Sequence, residues 1–255
     1  MQKMVIGNLK MNILTLAERK KYFESFKKEF KKNKTKNTRI VLCPPYVHIE
    51  AFIKELKAKN VSIGAQNIFW EEKGSYTGEV SAPMVKNLGG EYVLIGHSER
   101  RKYFSESNEI ANTKIKIAIK NGLKPIYCVG ETKKQRLAGK TSEVIIEQIK
   151  EGLAEIPASK MHSVIIAYEP IWAVGSNTVP TYNEILEVKI LLKKMFTNKY
   201  GADITKKISI LYGGSVDISS SAQVCLQPDM DGVLIGGESL KPSEFLKIAE
   251  IINKN

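Results

Sequence analysis

Eight short runs of β-branched and aliphatic residues recur along the chain, with helical periodicity between them. The runs are MVIGNL (4–9), RIVLC (39–43), VSIGA (61–65), YVLIG (92–96), KPIYCVG (124–130), SVIIAYE (163–169), ISILYGG (208–214) and GVLIGG (232–237). None alternates strictly between apolar and polar residues. Strands of that kind are covered on both faces, as in a parallel sheet wrapped in helices.

The intervening segments carry their own start signals. Thr15 and Glu18 have the spacing of a capping box, followed by Phe23, Phe26 and Phe30 on one helix face. Thr181 and Glu184 repeat the box ahead of Ile185, Val188, Leu192 and Met195. Ala111, Ile115 and Ala118 mark a helix in the middle of the chain. Pro242 suits a first helical turn before Phe245, Ala249 and Ile252. Eight strand–helix units in 255 residues predict an α/β fold, a single-domain (β/α)8 barrel over residues 1–255. An open doubly wound sheet is the alternative. It usually carries a Gly-rich nucleotide turn after its first strand, and GNLKMN has neither that pattern nor a phosphate-loop lysine.

Bulk properties narrow the class further. With 43% hydrophobic and 26% charged residues, the chain can bury one large core in water. No apolar run is long enough to span a bilayer, and the N-terminal stretch is too short in apolar residues for a signal peptide. Cys43, Cys128 and Cys225 are odd in number and lack metal-ligand spacing. Reduced thiols in the cytoplasm are expected. The net charge of +12 is concentrated partly in KKEFKKNKTK (27–36). That run reads as a solvated helix face, since it lacks the interleaved aromatic residues of single-strand nucleic-acid binders. A basic surface also suits a small anionic substrate.

A parallel barrel places its site at the carboxyl ends of its strands. Asn8 and Lys10 follow the first run. His97, Ser98, Glu99 and Arg100 follow the fourth, Glu131 the fifth and Glu169 the sixth. Singly, each has an ordinary structural reading. Together they supply an ammonium, an imidazole and a carboxylate, the parts needed to move a proton beside a carbonyl. The glycine pairs of YGGSV (212–216) and IGGES (235–239) let backbone N–H groups approach a ligand. The last two loops of such barrels frequently hold phosphate.

These motifs, in this order, resemble the triosephosphate isomerase family over essentially the whole chain. The matching stretches include GNLKMN, TGEVSAPM (77–84), IGHSERR (95–101), CVGE (128–131), AYEPIWAVG (167–175), YGGSV and DGVLIGG (231–237). The resemblance implies a TIM barrel that interconverts dihydroxyacetone phosphate and glyceraldehyde 3-phosphate without cofactor or metal. It implies Glu169 as the base and His97 as a neutral electrophile, with Lys10, Asn8 and Glu99 assisting. A helix beginning just after His97 would disfavour a positive imidazolium there. Phosphate is expected on Gly175, Ser215, Gly236 and Gly237, with Val174 closing toward Leu234 as part of a lid over 173–177. Ser98 is expected to orient Glu169, and Glu131 to pack near the lid. The resemblance also implies a homodimer, joined by a loop over 72–80 that carries Thr77 and Gly78.

The chain departs from the family pattern in places. Leu9 stands where tryptophan is usual, Glu238 where a small residue is common, and NTVP (177–180) alters the lid exit. Glu238 is expected to face solvent or pair with a basic residue. Two other readings remain open: another phosphate-binding barrel enzyme, such as a sugar-phosphate epimerase or aldolase, or a non-catalytic barrel that binds acidic partners.

Overall fold

The structure is a computed structural model, which describes residues 2–175 and 178–253. Eight parallel strands close into one barrel. They are β1 (Lys3–Asn8), β2 (Thr38–Cys43), β3 (Val61–Ala65), β4 (Tyr92–Ile95), β5 (Lys124–Val129), β6 (Ile165–Tyr168), β7 (Ser209–Gly213) and β8 (Gly232–Ile235). Closure is made by β1 and β8, with Ile6 opposite Leu234. The open-sheet alternative is therefore excluded.

Strand periodicity explains the doubly apolar runs. Successive side chains point to opposite faces. Ile6, Cys43, Leu94, Cys128, Ala167 and Leu211 pack together inside the barrel. Their neighbours Val5, Leu42, Ile95, Tyr127, Ile166 and Tyr212 face outward and join the layer beneath the helices. Both layers exclude water, so neither face can alternate with polar residues.

The helical layer comprises α1 (Leu16–Lys32), α2 (Ile49–Glu55), α3 (Ala82–Leu88), α4 (Ser98–Phe104), α5 (Asn108–Lys120), α6 (Lys133–Leu137), α7 (Thr141–Gly152), α8 (Tyr182–Tyr200), α9 (Ala202–Thr205) and α10 (Pro242–Asn253). Both expected capping boxes are formed, by Thr15 with Glu18 and by Thr181 with Glu184. Each satisfies backbone N–H groups that the first turn leaves without partners. Phe23 and Phe26 are buried under α1, while Phe30 is half-buried at its end. The connection from β7 to β8 uses a five-residue π-helix, Ala222–Leu226. The lysines of 27–36 are all exposed, as a solvated face requires. No helix among the described residues is long and apolar enough to cross a membrane.

Candidate active site

The same two-residue period aims the chemistry. Inside positions on β1 are Met4 and Ile6, so the next is Asn8. On β6 they are Ile165 and Ala167, so the next is Glu169. On β7 and β8, Leu211 and Leu234 lead to Gly213 and Gly236. All four lie at the carboxyl mouth of the barrel and line one cavity of ≈ 480 Å³. Lys10, His97, Val174, Gly175, Ser215, Leu234 and Gly237 line it as well.

His97 and Glu169 meet at the floor. The His97 Nε2 lies 3.3 Å from Glu169 Oε1, and the two residues are 5% and 4% exposed. The Glu99 N–H donates to His97 Nδ1 at 3.3 Å. That bond reserves Nδ1 as the acceptor and leaves the hydrogen of the neutral ring on Nε2, facing Glu169. His97 is thereby the N-cap of α4, which directs backbone N–H groups at it. Asn8 Nδ2 sits 3.3 Å from His97 Nε2, and the Lys10 N–H donates to Asn8 Oδ1 at 3.0 Å. Lys10 holds a left-handed φ of 52°, uncommon for a side chain of its size. Its ammonium donates to Glu99 Oε1 at 2.6 Å.

Ser98 meets Glu169 through its main chain. Its backbone N–H, not its hydroxyl, donates to Glu169 Oε2, at 3.4 Å. A peptide N–H at the start of a helix is fixed by the fold, so it holds the resting carboxylate without ordering a side chain. Glu131 is more than a packing residue. It is fully buried and accepts from Trp172 Nε1–H at 2.7 Å and from the Tyr168 hydroxyl at 3.2 Å. The Arg136 guanidinium stacks 4.0 Å from the Trp172 ring and pairs with Glu184. A buried carboxylate survives only with such donors. Glu131 therefore anchors the short turn Ile171–Ala173, where the expected lid begins.

Ser215 Oγ–H donates to the Ala173 carbonyl at 2.7 Å, tying the β7 loop to that turn. Gly175 has φ of +64°, a left-handed conformation that glycine adopts without cost. The remainder of the expected lid tip, Ser176 and Asn177, lies outside the described residues. On the exit side, Val179 lines the cavity and the Pro180 carbonyl accepts from Gln223 at 3.1 Å.

The glycine pairs divide their work in a way the sequence did not reveal. A Cβ at Gly237 would meet no atom within 4 Å, and one at Gly236 would meet only the Lys10 side chain, at 3.3 Å. That pair is open to a ligand. In YGGSV the reason for glycine is internal. A Cβ at Gly213 would lie 2.7 Å from Glu169 Cγ, and one at Gly214 2.2 Å from the Tyr212 hydroxyl oxygen. Gly213 makes room for the carboxylate itself. Gly213→Ala is expected to displace Glu169 and lower kcat about 100-fold, a cost usual for a misplacement near 1 Å. Steady-state kinetics of the purified variant check this.

Leu9 is fully buried among the outer-layer side chains, and its N–H donates to the Cys43 carbonyl. Glu238 pairs with Lys241 as expected, but it also lines the cavity. Thr77 and Gly78 lie in an exposed loop.

Comparison of the whole chain with known proteins gives the family. A family model described as triosephosphate isomerase matches residues 3–252. The chain belongs to the triosephosphate isomerase family. The triosephosphate isomerase of Dictyoglomus thermophilum is 43% identical over 249 residues, which cover 98% of this chain and 99% of that one. That of Alkaliphilus oremlandii is also 43% identical, over 97% of this chain and 99% of its own. That of a Synechocystis species is 41% identical over 249 residues, 97% of this chain and 98% of its own.

Proposed function

We infer that this chain is a triosephosphate isomerase, interconverting dihydroxyacetone phosphate and D-glyceraldehyde 3-phosphate through an enediolate, in glycolysis and gluconeogenesis. The observation that carries the reading is the buried contact of Glu169 with His97 Nε2 at the floor of a cavity edged by Lys10 and open glycines.

The geometry supports the following order of events. The Nε2–H can serve one acceptor well, so a substrate carbonyl takes the place Glu169 now holds. The freed carboxylate then removes a proton from the carbon beside that carbonyl. The C–H electron pair forms the carbon–carbon double bond, and the carbonyl electrons move onto oxygen. His97 Nε2–H and the Lys10 ammonium face that developing negative charge, and Asn8 holds the oxygens between them. His97 Nε2 passes its proton to that oxygen and takes one back from the adjacent hydroxyl, whose oxygen becomes the new carbonyl as Glu169 returns its proton to the neighbouring carbon. Glu99 positions both Lys10 and the His97 ring. Gly175, Ser215, Gly236 and Gly237 offer backbone N–H groups to the phosphate. Val174, closing toward Leu234, would exclude water and strengthen each of these interactions.

The proposal extends to assembly and place. Loops after β1, β2 and β3 are joined by Gln66 to the Lys10 carbonyl, His48 to the Ile13 carbonyl and Tyr46 to the Asn67 carbonyl. On these loops Met11 and Val47 are 87% and 81% exposed, and Thr77 and Gly78, in the loop after β3, are exposed as well. Apolar groups so exposed support a homodimer built through this face. The single closed barrel supports one domain over 1–255, and the reading places it in the cytoplasm, with no nucleic-acid or membrane partner and no cofactor.

The test is isomerisation of glyceraldehyde 3-phosphate by the purified chain in the presence of a chelator. Turnover that persists is expected. Absent or chelator-sensitive turnover would sink the assignment. Sedimentation velocity tests the dimer.

A further inference from the structure

The wall of the cavity carries the wrong charge for an anion. Among the described residues that line it, the carboxylates are Glu169, Asp217 and Glu238, and the one ammonium is Lys10. Lys10 is itself engaged by Glu99 at 2.6 Å. A phosphate entering this space meets net negative charge from the lining side chains, which backbone N–H groups have to help offset.

The two carboxylates at the phosphate end are held differently. Asp217 is occupied by its own turn, where Oδ1 accepts from the Ser219 hydroxyl and the Ser220 N–H, both at 2.7 Å. Its direction is set locally. Glu238 follows Gly237 directly and has no backbone donor on its carboxylate among the hydrogen bonds described. Its partner is Lys241, whose Nζ lies 3.2 and 3.5 Å from the two oxygens. The turn Gly237–Leu240 keeps the two residues together, because the Lys241 N–H donates to the Glu238 carbonyl at 3.2 Å. The Glu238 side chain is 28% exposed and that of Lys241 64%, so the carboxylate is the more enclosed of the pair.

We propose that Glu238 and Lys241 set the phosphate affinity of this site, the carboxylate weakening it and the ammonium restoring it. The inference rests on the phosphate reading given above. Its consequence is weaker retention of every phosphate-bearing ligand, not discrimination among them. Phosphate contacts that bind substrate, product and free phosphate alike do not speed the chemical step. A carboxylate at the cradle lowers retention of all three, while Lys241 stops the repulsion from abolishing binding. The pair is neutral as a unit, so each half can be removed to give a charge step of known sign.

The test uses the full chain as wild type, Glu238→Gln, Lys241→Gln and the double variant. Inorganic phosphate and 2-phosphoglycolate are the probes, read by thermal protection and by competition against glyceraldehyde 3-phosphate. Glu238→Gln is expected to tighten both probes about two- to fivefold, the range for a part-exposed charge. Lys241→Gln is expected to loosen them by a similar factor, and the double variant to return near wild type. KM moves in the same ratios, and added salt shrinks every difference. A shift of the same sign in both single variants, or none in Glu238→Gln, overturns the proposal while leaving the phosphate site intact. A wild-type chain that neither probe protects overturns the site and the proposal together.

Discussion

Glu169→Gln is expected to lower kcat about 10²- to 10⁴-fold, the share general-base catalysis usually contributes. The amide keeps the shape of the side chain and its place beside His97, but it cannot accept a proton from carbon. Glu169→Asp separates position from basicity. It keeps the carboxylate and withdraws it by one methylene, and a retreat near 1 Å costs about 100-fold. In both variants the loss belongs in kcat, since neither side chain is needed to hold the phosphate. Proton exchange between labelled substrate and solvent, followed by NMR, should fall in parallel. An unchanged kcat in Glu169→Asp would show that another group is the base.

Glu106→Gln is expected to destabilise the chain by about 3–5 kcal/mol, the range for breaking a buried ion pair. Glu106 is 4% exposed and Lys114 2%. The Glu106 carboxylate accepts from Lys114 Nζ at 2.5 Å, Arg100 Nε at 2.7 Å and the Gly96 N–H at 2.7 Å. Removing its charge leaves the Lys114 ammonium buried with neutral acceptors, among them the Asn67 side-chain oxygen 2.7 Å away, in place of the carboxylate. A double variant, Glu106→Gln with Lys114→Met, removes both charges and is expected to recover most of the loss. Urea midpoints of the three variants check this.

The same cluster sets an acid limit. Burial by itself would raise the Glu106 carboxyl, but Lys114, Arg100 and the Gly96 N–H outweigh it and hold the group below its ordinary value. An acid whose folded value is depressed adds stability above its unfolded value, about 4.3, and loses it as pH falls through the folded one. Stability should therefore decline below about pH 4.3, and the decline should be shallower in the double variant. The partners respond differently. Burial lowers the Lys114 ammonium despite Glu106, and the nearby Arg100 cation adds to the lowering. The acid-side loss thus belongs to Glu106. Gly96 immediately precedes His97, so the cluster also sets where the imidazole begins.

Much of the barrel was readable because its signals are local. A strand apolar on both faces, a capping box and a proline in a first turn each depend on a few neighbouring residues, and β3 was delimited to the residue. The strand-end logic likewise placed Asn8, Lys10, His97 and Glu169 at one mouth, since a parallel barrel has only one carboxyl end. The roles of Ser98 and Glu131 were less legible. One acts through a backbone N–H, and the other through a tryptophan 41 residues later.

From the sequence alone came the order of strands and helices, the identities of the groups available for proton transfer and the family they resemble. Only the closed barrel decided which of those groups touch. Gly213 gives its missing Cβ to Glu169, Glu106 gathers three donors from the residue after β4, from α4 and from α5, and Glu238 turns toward the cavity while held by Lys241. Each depends on packing or burial among residues brought close by the fold. Periodicity says which face a side chain occupies, but the distance between two faces exists only once the chain has closed on itself.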